Sequence, residues 1–233
     1  WSEDLWLRIQ AAQALAAIGA PVVEVVPDFV KMISREDRSD AREMTQRYLA
    51  FCLFCRGGVL GMEGLLAHST EGADLGELRP AVEKLLENPD ARARAVVGSL
   101  YRQLSYEEVK PFLPAVHKAI VERAPSGVMF SNGIRLEGLD LLARHRIEEG
   151  MALSLDILDL NSWGKRNRVM RCLRILRNYG GAAKPLLPRL REVEAQLREH
   201  REKRLLAPHI EEIGSLISYI ENAPAGEQLR SLR

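Results

Sequence analysis

The sequence has few aromatic residues, few cysteines and no long apolar run. Aromatic residues make up 6% of the 233 residues, and β-branched residues are not concentrated in any segment. Leu, Ala, Glu and Arg dominate instead, which favours helix. No apolar stretch approaches the roughly 18–20 residues that span a bilayer, so we expect no membrane span. The formal net charge is +1, and overall charge therefore favours no class of partner.

The cysteines do not form the pattern of a redox or metal site. Cys52 and Cys55 have the spacing of such a pair, but they lie in an apolar, helical stretch from 42 to 56, and the third is Cys172. A zinc site takes about four ligands, and no second Cys or His pair has suitable spacing. A thioredoxin-like site needs a βαβ context that is missing here. We predict that both residues of the pair are small buried side chains.

Catalytic motifs are also missing. There is no Gly-x-Ser-x-Gly and no His-Glu-x-x-His. The glycines between 57 and 76 are not followed by the Gly-Lys-Ser/Thr of a phosphate loop. The five histidines are scattered, and an ion pair explains His145 with Glu148 and Glu149 better than a metal does. We predict no catalytic residue, no cofactor and no metal site.

What the chain does contain is a recurring proline pattern. Each copy consists of an apolar or long residue, then a proline, then any residue, then an apolar residue. It lies a few residues after a helix-like stretch. Successive prolines are 53, 34 and 74 residues apart, and recurrence at about 34–47 residues is typical of stacked helical pairs. The copies are Val26–Phe29, Arg79–Val82, Leu113–Val116 and Leu187–Leu190.

The pattern predicts a series of helical pairs. In the first pair, Asp4 caps a helix that Gly19 ends, and the return helix runs from Val23 to Ile33 with Pro27 in its first turns. A single offset of 161 residues relates five positions of this pair to Cys172, Leu173, Leu176, Gly180 and Pro188. Further helices are predicted at 40–56, 75–88, 91–104, 111–122, 133–146, 148–160 and 205–221, and a further helical pair is predicted over 165–193.

The helical spacing also predicts which side chains are buried. Apolar residues at i, i+3, i+4 and i+7 form one face of a helix, and two such helices bury their apolar faces only by stacking on neighbours. We expect residues 196–204, which are highly charged, to extend the preceding helix into solvent. The predicted core residues are Leu15, Ile18, Leu100, Leu104, Leu141, Leu173 and Leu176.

This organisation resembles the HEAT-repeat family in its short bacterial form. The resemblance is good in the first repeat, fair at 90–122 and 165–193, and poor elsewhere. It implies an all-α, right-handed α-α superhelix of about five to six helical pairs, with a concave binding face and no single activity. The residues that carry it are Asp4, Arg8, Ala11, Ala12, Ala14, Leu15, Ile18, Gly19 and Pro27.

The same resemblance bears on the extent of the protein. The chain is similar to uncharacterised bacterial HEAT-containing segments that end larger proteins, some with a PDZ-like domain before the repeats. It begins without an initiator Met, so we expect a fragment of a longer protein, cytoplasmic or exported according to its upstream part. We predict one helical domain over 1–222 and a frayed tail over 223–233.

Charge is segregated along the chain. Residues 160–191 contain nine basic and no acidic side chains. On a helix this places a row of arginines opposite an apolar face. One interpretation is a solvated face, or pairing with acidic residues of the adjoining repeat at Glu137, Asp140, Glu148, Glu149, Asp156 and Asp159. The other is an anion or partner surface formed by Lys165, Arg166, Arg168, Arg171, Arg174 and Arg177.

Two further features bear on function. Met129 and Phe130 are apolar residues between turn-forming residues, and they either tuck under their loop or form part of a partner site. Trp163 begins the basic helix, and it either packs at a repeat junction or, with Asp156 or Asp159, resembles the groove of HEAT-like DNA glycosylases.

The functional prediction is a non-enzymatic interaction or scaffold module. We expect the module to present a curved surface to its partner, which is another protein or other domains of the same chain. The alternative is a nucleic-acid-binding protein that uses the basic segment, and a DNA glycosylase-like enzyme is a more remote one.

Overall fold

The computed structural model describes residues 4–35, 40–57, 63–127, 130–226 and 228–232. Every regular element within these ranges is helical, which confirms the all-α class. No helix of the described residues is both long enough and apolar enough to cross a membrane. The α-helices are α1 Leu5–Ala17, α2 Val22–Ser34, α3 Asp40–Phe54, α4 Leu75–Leu86, α5 Ala91–Val96, α6 Gly98–Tyr101, α7 Tyr106–Val109, α8 Leu113–Val121, α9 Ser131–Arg144, α10 Glu149–Asp156, α11 Lys165–Arg177, α12 Leu187–Glu199 and α13 Ala207–Asn222.

Several helices begin where a short polar side chain caps the first turn. The Asp4 carboxylate accepts a hydrogen bond from the Leu7 backbone N–H at 3.0 Å, as predicted. Asp90 caps α5 by accepting from the Arg92 N–H at 2.9 Å. At its other end α1 stops before Gly19, whose φ of 64° is in the left-handed region that favours glycine.

The prolines of the recurring pattern occupy two different positions. Pro114 and Pro188 are second residues of α8 and α12, each behind a short 3₁₀ segment, where a missing N–H costs little. Pro27 and Pro80 are the sixth residues of α2 and α4, so they lie inside the helix rather than in its first turn. The helix predicted over 91–104 is divided at Val97 into α5 and α6.

The chain consists of two compact units, residues 1–138 and 139–233. In the first unit α1 packs against α3 and α3 against α5, while α2 packs against α4 and α4 against α8. In the second unit α13 packs against both α11 and α12. The first unit thus contains two rows of helices, α1–α3–α5 and α2–α4–α8, which meet where α2 packs against α3 and α4 packs against α5.

Most of the predicted core residues are buried. Leu100, Leu104, Leu141, Leu173 and Leu176 are confirmed in the core, and Leu15 is half-buried.

The prediction for Ile18 is wrong, because its side chain is 75% exposed. The buried face of α1 is Ile9, Ala12 and Ala16, a stripe offset from the predicted one. Ile18 lies beyond the last helical residue, and the chain turns away at Gly19.

The end of the chain also differs from expectation. Helix α12 ends at Glu199 and turns follow over 201–206, so residues 196–199 belong to that helix whereas residues 201–204 do not extend it. The segment beyond Ala223, for which we expected fraying, is hydrogen-bonded to the start of α10. The Arg230 N–H donates to the Arg146 carbonyl at 2.9 Å, and the Glu148 N–H donates to the Arg230 carbonyl at 2.8 Å.

Candidate functional site

The first unit contains a cavity of about 480 Å³, a size typical of ligand sites. Helices α3, α5 and α6, Phe130 just before α9 and the middle of α9 supply its walls. We call it the aromatic–arginine pocket. Its lining residues are Arg47, Tyr48, Phe51, Phe54, Cys55, Arg56, Arg92, Ala95, Val96, Ser99, Arg102, Phe130 and Glu137.

The apolar part of the pocket is an aromatic cluster. Phe54 is fully buried at its base, while Phe130 is 37% exposed at its edge. The rings of Tyr48 and Phe51 meet edge-on with centroids 6.0 Å apart. Trp6 of α1 extends the row, because its ring centroid lies 6.3 Å from that of Tyr48. The aromatic surface therefore continues beyond the cavity along α1 and α3.

The polar part of the pocket is a set of arginines at its edge. The Arg92 guanidinium lies over the Phe130 ring, 5.7 Å from its centroid. Its side chain remains 41% exposed, and that of Arg102 is 44% exposed. Arg102 Nη2 donates to both carboxylate oxygens of Glu137 at 2.9 Å. Charged donors and an aromatic face are thus available at the same edge.

Asp90 lies behind the pocket and fixes two of the arginines that line it, Arg92 and Arg47. Arg92 donates to both of its carboxylate oxygens, and Arg47 Nη1 donates to Oδ2 at 2.9 Å. Burial alone would raise the pKa of Asp90, but the hydrogen bonds from Arg92 and Arg47 outweigh it and lower the pKa to about 2. Asp90 is therefore ionised at neutral pH, and a single carboxylate neutralises only one of the two arginines.

The base of the pocket is held by a close contact between backbones. The N–H groups of Gly64, Leu65 and Leu66 donate to the carbonyls of Cys55, Cys52 and Leu53 at 2.7–2.9 Å. They satisfy carbonyl groups that the end of a helix otherwise leaves unpaired. A Cβ atom at position 64 would lie 2.5 Å from the Leu53 carbonyl carbon, so only glycine fits there.

The basic segment belongs to the second unit, and much of its charge is paired. Lys165 Nζ lies 2.9 Å from a Glu202 oxygen, and Arg177 Nη2 lies 3.2 Å from a Glu212 oxygen. Arg189 pairs with Asp156 at 2.7 Å and Arg191 with Glu221 at 2.5 Å. Of these carboxylates, only Asp156 is among those expected from the adjoining repeat. The turn at 201–206 and α13 therefore supply acidic partners to α11, and α10 and α13 supply those of α12.

Arg168 is buried, not exposed with the other members of the predicted row. Its side chain donates to the Asp159 carbonyl, to Ser162 Oγ at 2.6 Å and to the Trp163 carbonyl at 3.1 Å. It therefore fixes the loop that precedes α11. Arg166 and Arg174 are exposed, and Arg171 is half-buried.

Trp163 does not pack at a repeat junction, because its side chain is 77% exposed. The Asp159 carboxylate accepts the N–H groups of Asn161 at 2.8 Å and Ser162 at 3.2 Å. These hydrogen bonds lower the pKa of Asp159. Asp159 thus stabilises the loop that carries Trp163.

The loop that carries Met129 and Phe130 lies only partly within the described residues. Met129 lies outside the described residues. Phe130 belongs to the aromatic–arginine pocket, and its N–H donates to the Gly127 carbonyl at 2.8 Å. Phe130 is thus neither fully tucked under its loop nor fully exposed.

The cysteines are buried, as predicted for Cys52 and Cys55, and Cys172 is buried too. Burial, with a smaller effect from Cys55, raises the pKa of Cys52 to about 12. Burial likewise lowers the pKa of His145, with Arg144 and Arg230 acting in the same direction. Within the described ranges no three His, Cys, Asp or Glu side chains are grouped as metal ligands.

Most of the pocket was not anticipated from the sequence. Of its lining residues, the sequence indicates only Phe130 as part of a partner site; Cys55 and Glu137 were considered for other roles, and Tyr48, Phe51, Arg92 and Arg102 for none. One signal was present: Arg47, Phe51 and Cys55 recur at intervals of four, the spacing of one helical face.

Comparison with known proteins identifies no relative. No protein-family model, no curated protein and no solved structure matches the chain.

Proposed function

We propose that this chain is a non-enzymatic interaction module that binds a segment of another protein, or of another domain of the same chain, in the aromatic–arginine pocket. The observation that carries the proposal is the pocket itself. Aromatic residues with arginine are the side chains most enriched where proteins bind one another tightly. Here aromatic residues and arginines line one cavity between helices of the first unit.

The arrangement of the helices supports a scaffold role. We propose that the pairs are HEAT-like, with the right-handed stacking that the resemblance implies. The two rows α1–α3–α5 and α2–α4–α8 in the first unit follow the order expected of stacked helical pairs. Repeated pairs of this kind present extended surfaces for binding.

A display selection tests the interaction role. Random twelve-residue peptides are selected on the immobilised chain, and enriched peptides are resynthesised and measured by calorimetry. We expect dissociation constants in the micromolar range or below, as for short peptides on protein surfaces. If no peptide is enriched over a heat-denatured sample of the same chain, the proposed function is wrong.

A nucleic-acid role is the second candidate, and one observation favours it. Trp163 is 77% exposed beside the exposed Arg166, and aromatic rings next to arginines bind single strands by stacking. The pairing of Lys165, Arg177, Arg189 and Arg191 with carboxylates argues against it. The glycosylase alternative is weaker still, because Asp156 is paired with Arg189 and Asp159 holds loop amides.

Fluorescence anisotropy with labelled single-stranded and duplex DNA at about 50 and 200 mM salt decides this candidate. If Arg166 and Arg174 both reach phosphates of duplex DNA, log K falls with log salt at a slope near −1.8. An Arg166→Glu/Arg174→Glu variant then loses binding. No binding at the lower salt concentration excludes both the nucleic-acid and the glycosylase roles.

A further inference from the structure

The aromatic–arginine pocket is basic within an acidic unit. Among the residues that the structure describes, four arginines and one carboxylate, that of Glu137, line the cavity, and Asp90 behind it supplies one more carboxylate. Residues 1–138 as a whole carry 16 basic and 19 acidic side chains, a formal net charge of −3. The positive charge is therefore concentrated at the pocket, and acidic ligands are drawn to it rather than to the rest of the unit.

The exposed arginines retain capacity for a ligand. A guanidinium has five N–H donors. Arg102 uses one nitrogen, Nη2, on Glu137, and Arg92 uses Nε and Nη2 on Asp90. Both side chains are more than two-fifths exposed. A carboxylate that arrives at this edge can receive hydrogen bonds without displacing either internal ion pair.

The apolar surface is elongated rather than enclosed. It begins at Phe54 in the base of the pocket, passes Phe51 and Tyr48 along α3, and reaches Trp6, which is 57% exposed. Leu7, next to Trp6, is 58% exposed. A compact ligand would fill the cavity and leave this surface uncovered, whereas an extended chain covers both.

We propose, on the basis of the proposed function above, that the pocket binds an acidic peptide segment with an aromatic or large aliphatic side chain. The apolar side chain enters the cavity between Phe51, Phe54 and Phe130. Asp or Glu residues beside it bind the exposed edges of Arg92 and Arg102. The rest of the peptide lies along Tyr48 toward Trp6.

The glutamate in the pocket provides the sharpest test, because it predicts a gain of binding. Peptides from the display selection are measured against Glu137→Gln, which removes a negative charge beside Arg102. Affinity for an acidic peptide then rises by about 2- to 5-fold, the range of a partly exposed ion pair. Arg102→Gln lowers affinity by about 10-fold through loss of a charged hydrogen bond, and Phe130→Ala lowers it by a similar factor.

Matched controls separate the pocket from general effects of charge and folding. Arg79→Gln removes an exposed arginine of α4 that pairs with Glu83 outside the pocket, and it leaves affinity unchanged. Peptides with Lys in place of Asp and Glu, or Ser in place of the apolar residue, bind at least 10-fold more weakly. Thermal melting confirms that each variant folds.

Each remaining outcome overturns the proposal. If the enriched peptides lack acidic residues, or if Glu137→Gln weakens binding, the ligand class is wrong. If acidic peptides bind equally well to Arg102→Gln and Phe130→Ala, the interaction function stands but the site is elsewhere. If 3-phenylpropionate alone binds as tightly as the selected peptides, the pocket is a small-molecule site.

Discussion

The guanidinium of Arg92 binds the carboxylate of Asp90, the residue that caps the same helix two positions earlier. Nε lies 3.0 Å from each carboxylate oxygen, and Nη2 lies 2.7 Å from Oδ2. Arg47 of α3 reaches the same carboxylate at 2.9 Å. The Asp90 side chain therefore caps α5, joins α5 to α3 and orients two arginines of the pocket.

Replacing Asp90 by Asn tests the electrostatic part of this role. Asn is as good a helix cap as Asp, so the cap is kept while the charge is lost. The Arg47 side chain, only 11% exposed, is left without its carboxylate. We expect the free energy of unfolding to fall by about 2–3 kcal/mol, measured by urea denaturation. The control Arg79→Gln removes an exposed i,i+4 ion pair and changes the free energy of unfolding by less than about 0.5 kcal/mol.

The same carboxylate predicts a pH dependence. Its pKa of about 2 in the folded chain is below the value of about 3.9 for an unfolded chain. Its contribution is therefore complete above about pH 5 and is lost as the pH falls through 4 toward 2. The difference in unfolding free energy between the wild type and Asp90→Asn shrinks by about 2 kcal/mol between pH 5 and pH 2. A difference that stays constant over this range contradicts the assignment.

Leu173 of α11 is fully buried, and its truncation tests the core of the second unit. We expect Leu173→Ala to cost about 2–5 kcal/mol, because it removes buried methyl groups and leaves a cavity. Leu205, with 57% exposure, is the matched control, and its truncation changes stability by less than about 0.5 kcal/mol. Equal costs at both positions show that the burial pattern of this unit is wrong.

Arg168 predicts a local effect. Replacing it by Met keeps the length of the side chain but removes the donors to Asp159, Ser162 and Trp163. We expect backbone amides of residues 157–164 to exchange with deuterium at least 10-fold faster, while those of α13 are little changed. The neighbouring exposed Arg166→Met is the control. Faster exchange throughout the second unit instead indicates general destabilisation.

The buried thiols predict low reactivity. With a pKa of about 12, about one Cys52 thiol in ten thousand is ionised at pH 8, and the thiolate is the nucleophile. Native protein mixed with Ellman's reagent is expected to leave Cys52 unmodified over hours, as mass mapping shows. All three cysteines react within minutes in 6 M guanidinium chloride. Rapid native labelling at Cys52 shows that α3 opens readily.

Local signals explain what could be predicted about the fold. The cap at Asp4 and the stop at Gly19 could be predicted from single residues, because capping depends on one side chain and its nearest amides. The burial of Ile18 was mispredicted, since burial depends on what packs against a helix end and not on the helix alone.

The pocket illustrates why the site was harder to predict. Arg47 and Glu137 line the same cavity although 90 positions separate them in the chain. A single helical face at 47, 51 and 55 gives no information about the helix that lies opposite. Arg168 shows a related limit: its position on the helix suggested exposure, but the loop from Asp159 to Trp163 covers it.

The contact at Gly64 fixes the shape of the pocket base independently of the edge residues that select a ligand, although shape and selectivity are usually linked in a binding site. The base of the pocket is positioned by amides meeting carbonyls across Gly64 and Leu53, while Arg102, Phe130 and Glu137 at the edge contribute little to that contact. Selectivity can therefore diverge between related chains, or be redesigned, by exchanging edge side chains alone. Position 64 cannot be exchanged in this way, because any side chain there would push the end of α3 and change the shape of the cavity for every ligand.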